Sequence, residues 1–224
     1  MKNEIKELEL FTGIRKETLD ELNKIGHKMI YKKGEHVFYD KDNIKTIFIV
    51  LTGKVALYKI SEKAQKRIVF ILGRGKIIND VILDDLKSSI NCEVFEDSEI
   101  FCFNREQFIK LMEKDFDLTK AVLNSLAKKV RRLYRQVKNS TPIKIEKRVA
   151  AKLWKLGKDY GIDCEKSTLI NLNISITYLA DMFGTPRETI SRAVKVLQNE
   201  GLIIVKDKKF IIKDREKLAE YFKK

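Results

Sequence analysis

Apolar residues recur at two different spacings along the chain, and the spacing changes near residue 104. Between residues 29 and 103, short apolar runs alternate with turn residues, a pattern that predicts β-strands. After residue 104 the apolar positions recur every three or four residues, which predicts helices. A short helical segment over residues 4–26 precedes the strands. The sequence therefore predicts an α+β protein in which the sheet comes first and most of the helices follow.

The β-rich part contains about eight predicted strands, and turn signals such as Lys33-Gly34-Glu35 and Thr52-Gly53-Lys54 separate them. The predicted strands span residues 29–31, 37–39, 47–51, 55–60, 68–72, 77–78, 89–94 and 100–103. Strands of this length and spacing are typical of a sandwich or a jelly roll.

A helix is predicted over residues 104–117, and a longer helix follows it. The apolar positions of the longer helix are separated by alternating steps of three and four residues, which indicates the a/d seam of a coiled coil over about three heptads. The predicted seam consists of Phe116, Thr119, Leu123, Leu126, Val130, Leu133 and Val137. This pattern favours a parallel homodimer. A helix packed on its own domain is the alternative.

The seam ends at a proline, which disfavours helix at the residue before it. Ser140, Thr141 and Pro142 are therefore predicted to form the hinge between two domains. A helix over residues 145–160 follows, and its predicted buried positions are Val149, Leu153, Trp154 and Leu156. Residues 169–174 are predicted to form a short strand or loop.

Two helices joined by a tight turn are predicted over residues 173–201. Ser175 or Thr177 caps the first of them, since a side-chain oxygen at this position accepts a bond from the first helical turn. Gly184 ends this helix, because glycine enters a left-handed turn without a Cβ penalty. The arrangement predicts a helix-turn-helix.

The second helix of the pair begins with a predicted capping box, in which Thr185 is the cap, Pro186 the first helical residue and Glu188 the partner of the cap. Its apolar positions Ile190, Val194 and Leu197 are predicted to face the core. Its polar residues fall on the opposite face, and they are Arg187, Glu188, Ser191, Arg192 and Lys195.

A hairpin is predicted directly after the second helix, with β-prone runs at residues 202–205 and 210–212 around a turn of Lys206, Asp207, Lys208 and Lys209. A helix-turn-helix with a charged face also occurs as a purely structural pair of helices whose charged face is simply solvated. The hairpin favours the DNA-binding interpretation over this one, because helix, turn, helix and basic hairpin in this order make a winged helix. A DNA-binding domain is the favoured interpretation.

The net charge of +14 is distributed unevenly along the 224 residues. Residues 1–117 contain 21 basic and 21 acidic side chains, whereas residues 118–224 contain 25 and 11, so the second half carries the whole excess. A basic half beside a neutral one is typical of a phosphate-binding module joined to a separate sensor.

The segment around the second helix resembles a known family. The motif RETISR at residues 187–192, with LADMFG before it and a short hairpin after it, resembles the regulators of the cyclic-AMP receptor and fumarate–nitrate regulator (CRP/FNR) family. The Arg-Glu pair with a later Arg resembles the first branch, and Glu188, Ser191 and Arg192 in an E-x-x-S-R pattern resemble the second. The resemblance extends over nearly the whole chain and is strongest after residue 170.

The resemblance implies a fold and a division into domains. Residues 1–117 would form an effector-sensing β-roll of the cyclic-nucleotide-binding kind, residues 118–140 the dimerisation helix and hinge, and residues 141–224 a winged helix-turn-helix. It also implies a homodimeric transcription factor that binds palindromic half-sites of the TGTGA or TTGAT kind and contacts RNA polymerase. We expect an effector or redox signal at the β-roll to control it.

The DNA contacts follow from side-chain chemistry on the second helix. Arg187 and Arg192 are predicted to bind guanine edges or neighbouring phosphate, Glu188 to accept from a cytosine amino group, and Ser191 to touch a base edge or a thymine methyl. The predicted contacts to the DNA backbone are Thr177, Thr185, Thr189, Lys195, Lys208 and Lys209.

The effector of the predicted sensor is left open. The family's Gly-Glu and Arg-Ser pairs for ribose and phosphate are replaced near residues 78–81 and by Lys87-Ser88-Ser89, and Leu133 and Tyr134 stand in place of the hydroxylated pair that contacts adenine, so cyclic AMP is not expected. An iron–sulfur cluster is not expected either, because no cysteine cluster lies near the N-terminus. Haem stays open through His27 and His36.

The cysteines, the length of the apolar runs and the lack of a catalytic set limit the classes of protein that the sequence allows. Cys92, Cys102 and Cys164 lack metal-ligand spacing and are expected to be free thiols of a reducing cytoplasm, with Cys102 a core residue rather than a redox sensor. No apolar run reaches the length of a signal peptide or a bilayer span. No catalytic set is evident, so an enzyme is not expected. The alternative to a DNA-binding regulator is a small-molecule-binding module whose helical half contacts other proteins.

Overall fold

The computed structural model describes residues 5–62, 64–138, 144–164 and 167–223. The chain divides into two compact units. The first comprises the chain up to Ser61 together with Ile68–Tyr134, and the second comprises Glu62–Arg67 together with the chain from Arg135 onward. The predicted hinge residues Ser140, Thr141 and Pro142 lie outside the described residues.

The elements up to residue 138 form the expected combination of a β-roll and helices. A 3-10 turn at Glu9–Phe11 comes first, and a second one at Asp80–Asp84 follows the fourth strand. In chain order the helices and strands are α1 (Lys16–Ile25), β1 (Gly26–Tyr31), β2 (His36–Phe38), β3 (Thr46–Ile60), β4 (Lys66–Leu72), β5 (Asn91–Asn104), α2 (Arg105–Lys114) and α3 (Phe116–Lys138).

Strand β5 organises the sheet. It pairs antiparallel with β1, where Gly26 lies opposite Phe103, and with β3, where Thr46 lies opposite Asn104. The order is β1-β5-β3-β4, and β2 also pairs with β5. Since β5 pairs with β1, β2 and β3, the register of these three strands depends on it, whereas β4 is aligned through β3.

The strand prediction was wrong in number, because pairs of predicted strands are continuous. Residues 47–51 and 55–60 belong to β3, and residues 91–94 and 100–103 belong to β5, which leaves residues 89–90 of the predicted strand outside it. At the predicted strand 77–78, only an isolated bridge between Ile77 and Ile49 forms. The predicted turn at Gly53 is a register shift within β3. Gly53 has φ +76°, and a Cβ there would overlap the backbone oxygen of Asp97. A glycine in a strand marks a bulge as well as a turn.

Alternate residues of β3 enter two different apolar clusters, as the two-residue period of a strand requires. Ile47 and Ile49 lie in a cluster with the helices, and Phe48 and Val50 lie in a second cluster inside the roll. Both faces of β3 are therefore covered, which explains the nearly unbroken apolar run of IFIVL.

Helix α3 begins on a buried carboxylate. Asp115 is only 1% exposed, and its Oδ1 accepts bonds from the backbone N–H groups of Asp117 (3.0 Å) and Leu118 (3.4 Å). Its Oδ2 accepts the hydroxyl of Thr18 at 2.6 Å, and Arg15 lies 3.8 Å away. Burial raises the pKa of Asp115, but the hydrogen bonds and the Arg15 charge outweigh it, so the pKa is lowered.

The part of the chain after residue 144 forms the second unit. Its elements are α4 (Ile145–Tyr160), β6 (Gly161–Cys164), β7 (Ser167–Ile170), α5 (Ile176–Asp181), α6 (Arg187–Asn199), β8 (Ile203–Lys206), β9 (Lys209–Ile212) and α7 (Arg215–Lys223). The strands form one sheet in the order β6-β7-β9-β8. The predicted hairpin is present as β8 and β9, and β6 and α7 are additions that the sequence pattern did not predict.

Trp154 is half-buried, whereas the sequence prediction placed it in the core. Its ring meets Phe222 of α7 edge-on at 6.2 Å, and the guanidinium of Arg215 lies 5.6 Å from the ring centroid. Helix α7 therefore covers one side of the indole and leaves the rest at the surface, an arrangement that suits an amphipathic ring.

The hairpin turn between β8 and β9 has two residues in the left-handed region. Asp207 has φ +50° and Lys208 has φ +59°, and Lys206 lies opposite Lys209. Two positive φ values in a two-residue hairpin loop indicate a type I′ turn, which favours glycine at its second central position.

We expect Asp115→Ala to lower the free energy of unfolding of the first unit by about 2–3 kcal/mol, because it leaves buried donors without an acceptor. Since the folded pKa of Asp115 is lowered, the stability that its charge supplies is present above the ordinary pKa of about 4 and is lost as pH falls through the folded value. Denaturant unfolding between pH 2 and pH 7 tests this. Asp115→Asn should lose that part of the pH dependence, and the exposed Asp117→Asn should retain it.

We expect Lys208→Gly to raise the free energy of unfolding of the second unit by about 0.5–1 kcal/mol, because glycine adopts the left-handed turn without strain. Lys206→Gly provides the control, since residue 206 is extended and glycine there should destabilise. Equal losses of stability in the two variants, measured by thermal unfolding, would contradict the assignment of the turn.

Candidate nucleic-acid interface

The first helix of the helix-turn-helix is capped as predicted. The hydroxyl oxygen of Ser175 accepts a bond from the backbone N–H of Tyr178 at 3.0 Å, and Leu179 and Ala180 are buried. Gly184 has φ +59°, the conformation that the sequence predicted for this position. The entry to α5 and the turn after it therefore follow from local residue chemistry.

The predicted capping box of the second helix is wrong. Helix α6 begins at Arg187, its N-cap is Pro186, and Thr185 makes no capping bond to it. The backbone N–H of Thr185 donates to the carbonyl of Ala180 at 3.3 Å, which ties the residue to the preceding helix. Its hydroxyl oxygen is buried and finds no hydrogen-bond partner among the described residues. This geometry also removes the hydroxyl of Thr185 from the surface where a phosphate contact was predicted.

Helix α6 has one buried face and one exposed polar face. Ile190, Ala193, Val194 and Leu197 are buried. The four residues predicted to contact bases, Arg187, Glu188, Ser191 and Arg192, are all exposed. Lys195, a predicted phosphate contact, is exposed as well. Within the described part of the chain no ion pair engages any of these four charged side chains, so two arginines, one carboxylate and one ammonium are presented together. Thr189 is half-buried at the flank of this face.

The predicted backbone contacts of the hairpin lie beside the helix-turn-helix. Lys208 is exposed and Lys209 is half-buried. The carbonyl of Lys208 accepts the backbone N–H of Ile174 at 2.9 Å, which fixes the hairpin tip next to the start of α5. Thr177 is exposed in the first turn of α5. The structure therefore brings the hairpin tip and the first helix together, whereas the sequence placed them about thirty residues apart.

Arg148 is a positioning side chain that the sequence did not reveal. Its guanidinium lies 5.4 Å from the ring centroid of Phe183, which belongs to the turn between α5 and α6. This contact connects α4 to the turn. An arginine in an amphipathic helix carries no sequence signal for such a contact, because most of them face solvent.

The predicted dimer seam lies on the outer face of α3. Its large side chains are exposed, at 72% for Phe116, 54% for Leu123, and 40% for both Val130 and Leu133. Thr119 and Leu126 are half-buried, and the hydroxyl of Thr119 donates to the carbonyls of Met112 and Asp115. Val137 lies in the last turn of α3. An uncovered apolar stripe of this length is typical of an interface.

Two polar side chains near the predicted effector positions form hydrogen bonds with backbone groups. Asn79 accepts the N–H of Phe48 at 2.9 Å and donates to the carbonyl of Thr46 at 2.7 Å. The hydroxyl of Ser88 donates to the carbonyl of Ile90 at 2.8 Å, and Lys87 is exposed. The described polar atoms of Asn79 and Ser88 are therefore bonded to this chain's own backbone, and Lys87 presents a point charge where the family has the bidentate fork of an arginine.

The histidines and cysteines were the other effector candidates. His36 Nε2 forms a 2.9 Å hydrogen bond with Tyr58 OH, and its ring stacks on Tyr39 at 4.6 Å, so this imidazole is engaged by the fold. His27 is exposed on β1. The described residues contain no cluster of three His, Cys, Asp or Glu side chains that would hold a metal ion.

Cys102 is fully buried, as predicted for a core residue, and burial raises the pKa of its thiol to about 12. A thiol that stays protonated at neutral pH is a poor nucleophile and a poor redox sensor. Cys92 is also buried, whereas Cys164 is exposed on β6. As for membranes, the described helices include none with the length and apolar character of a span.

Comparison with known proteins gives the same two modules in the same order. The family model of the cyclic nucleotide-binding domain matches residues 28–115, and that of the Crp-like helix-turn-helix domain matches residues 147–221. The cyclic AMP receptor protein of Thermus thermophilus is 26% identical over 195 residues, which is 87% of each chain. The electron transport regulator A of Shewanella oneidensis is 26% identical over 215 residues, with 89% of this chain and 80% of that protein covered.

Solved structures show the same fold. The c-di-GMP responsive global regulator CLP of Xanthomonas campestris aligns with a TM-score of 0.77 and 19% identity, over 88% of this chain and 99% of that one. FixK2 of Bradyrhizobium japonicum aligns with a TM-score of 0.74 and 18% identity, over 88% and 96%. With a cyclic nucleotide-binding domain followed by a Crp-like helix-turn-helix domain, the chain belongs to the CRP/FNR family of transcriptional regulators.

Proposed function

We propose that the protein is a homodimeric regulator that reads palindromic DNA through α6 and responds to a small-molecule or redox signal at its β-roll. The exposed polar face of α6 above a buried apolar face is the observation that carries the proposal. A helix with this division presents its side chains to the major groove while its other face holds it to the domain.

Direct base recognition is assigned to four side chains. Arg187 and Arg192 bind guanine O6 and N7 or a neighbouring phosphate, Glu188 accepts from a cytosine amino group, and Ser191 touches a base edge or a thymine methyl. Because this constellation resembles both branches of the family, the half-site is of the TGTGA or TTGAT kind.

Phosphate contacts fix the register. Lys195 lies beside the recognition face, Thr177 is exposed on α5, and Lys208 and Lys209 occupy the hairpin tip. Thr189 flanks α6. Thr185 is left out of this set, since its hydroxyl is buried and its backbone N–H donates to the carbonyl of Ala180. These groups carry the electrostatic part of the affinity, which predicts a steep loss of binding as salt rises.

The exposed apolar stripe of α3 is proposed to pair two copies of the chain, and the second copy then contributes the second α6 helix. Phe116, Leu123, Val130 and Leu133 are apolar and exposed along one side of the helix. A parallel two-fold pair would cover them and would present two α6 helices to half-sites about one turn of DNA apart. Residues 140–142 are the proposed hinge between the dimer helix and the DNA-binding domain.

We also propose that the regulator contacts RNA polymerase. Its proposed location is the cytoplasm.

We expect Glu188→Ala to relax the sequence preference at one base pair of each half-site by about 1–3 kcal/mol, because the carboxylate accepts a bond that only one base offers. Selection of duplexes from random DNA with both proteins measures the change. Glu200→Ala, an exposed carboxylate after the end of α6, should leave the preference unaltered. An identical preference for all three proteins would remove Glu188 from base recognition.

We expect Leu123→Lys to raise the dissociation constant of the dimer at least 100-fold, or about 3 kcal/mol, because it places a charge in each half of an apolar seam. Sedimentation equilibrium across protein concentrations measures this constant. Asn124→Lys adds the same charge at an exposed neighbouring position outside the seam and should leave the constant within about threefold. If the two variants dissociate alike, the seam lies elsewhere.

A further inference from the structure

The sheet of the second unit has one buried face. On β7, β8 and β9 the buried residues lie at alternate positions, and they are Thr168, Ile170, Ile203, Phe210 and Ile212. Helix α4 covers this face, since a Cβ added at its Gly157 would come within 2.7 Å of Ile212 Cδ1. Because side chains along a strand point alternately to the two faces, the residues between the buried ones lie on the outer face.

The outer face carries an apolar row that crosses all four strands in register. Ile162 of β6 lies opposite Leu169 of β7, and Leu169 lies opposite Ile211 of β9. Ile211 in turn lies opposite Ile204 of β8. Directly opposed residues have neighbouring side chains on the same face, so the row is continuous and, at about 4.8 Å per strand, about 14 Å long. Its two ends are open, with Ile162 49% and Ile204 41% exposed.

Basic side chains flank the row on both sides. Lys206 and Lys209 lie opposite each other, one outward position closer to the hairpin tip than the row. Lys213 is exposed on the other side of the row, and its backbone N–H still bonds to the residue before β8, at 3.0 Å. The outward positions of the four strands include no carboxylate, and among the described residues no ion pair engages these three lysines. The face is thus apolar at its centre and basic at its edges.

The chemistry of this face discriminates between occupants. A second copy of the same face would place lysines against lysines, because a two-fold contact uses the same surface on both sides. A lipid surface is bound by large apolar side chains that enter the headgroup layer, whereas Leu169 and Ile211 are half-buried within the sheet. An acidic protein segment with apolar side chains complements both the row and the lysines.

We propose that the outer face of this sheet is a docking surface for an acidic, amphipathic segment of another protein. The apolar side chains of the segment cover the row from Ile162 to Ile204, and its carboxylates pair with Lys206 and Lys213. The proposal does not rest on the proposed function, because neither the row nor these two lysines belong to the proposed DNA contacts. Failure of the docking and failure of DNA binding are therefore separate results.

Random linear peptides displayed on phage provide the probe, and the full chain without DNA is the target. We expect the peptides selected at low salt to be rich in carboxylates and to carry apolar residues among them. One selected peptide is then synthesised with a fluorophore, and its dissociation constant is measured by fluorescence anisotropy. Selection of no peptide, or of neutral and basic peptides only, would overturn the proposal.

Ile204→Thr tests the apolar row, with Ile60→Thr as the matched control. Ile60 is a 56% exposed isoleucine at the end of β3 in the first unit, and threonine suits a strand at both positions. We expect Ile204→Thr to weaken the peptide at least fivefold and Ile60→Thr to stay within twofold of the parent protein. Thermal unfolding checks that each variant is folded, and Ile162→Thr repeats the test at the opposite end of the row. Unchanged affinity in both row variants contradicts docking there.

Lys213→Glu tests the basic edge of the face. We expect it to weaken the peptide at least fivefold at low salt, because a carboxylate then faces the carboxylates of the peptide. Lys223→Glu makes the same change of charge at an exposed position of α7 and should stay within twofold of the parent protein. An equal loss in the two variants would show attraction to the net charge of the chain rather than docking on this face, and the proposal would fall.

The two other occupants are separated by direct measurement on the parent protein and Ile204→Thr. Vesicles of phosphatidylcholine and phosphatidylserine report lipid binding, and sedimentation equilibrium reports association beyond a dimer. We expect the two proteins to behave alike in both measurements. Vesicle binding or higher association that Ile204→Thr abolishes would assign the face to a lipid surface or to a second copy and would overturn the proposal. If the parent protein binds no DNA duplex, the proposed function fails, while the peptide affinities still decide whether this face is a docking surface.

Discussion

The two faces of helix α3 are the constraint on which the rest of the structure depends. Leu118 and Val122 bury one face in the first unit, and Asp115 caps the first turn with a carboxylate that is itself buried. The other face leaves Phe116, Leu123 and neighbouring apolar side chains exposed. Apolar surface in water is unfavourable roughly in proportion to its area, so a contiguous stripe of it is a strong reason for association. One helix thus has to serve the core of its own unit and a proposed partner at once.

Much of the helical structure could be predicted from the sequence, because an amphipathic helix records its buried face in local spacing. This is why α3, α4 and α6 lie where the three-and-four-residue pattern placed them. The β-roll was predicted in type but not in strand number. Gly53 looks locally like a turn, and only the pairing of β3 with β5 shows that the strand continues through it. Strand β6 was missed because its residues are all exposed and have no alternation to detect.

The candidate site divides in the same way. Ile190, Val194 and Leu197 fix which side of α6 is buried, so the exposure of Arg187, Glu188 and Arg192 followed from periodicity. The capping role of Thr185 did not follow, because a T-x-x-E motif describes only local residues, whereas the turn bonds this threonine to α5. The contacts of Lys129 on α3 were not predicted either. Its Nζ donates to the carbonyls of Ile77 and Ile78, and a lysine in a charged helix has no sequence feature that separates such an ammonium from a solvated one.

The β-roll illustrates why family membership does not identify an effector. FixK2 and CLP align with this chain at TM-scores of 0.74 and 0.77 and identities of 18% and 19%, so the backbone is shared while most side chains differ. A fold supplies positions, and the chemistry of a site comes from the side chains at them. In this chain the side chains of Asn79 and Ser88 form hydrogen bonds with backbone groups. Phe38, Phe48 and Phe70 lie in the apolar cluster inside the roll. The bonding of these polar atoms is set by this chain's own residues, so the shared backbone by itself does not identify what the β-roll binds.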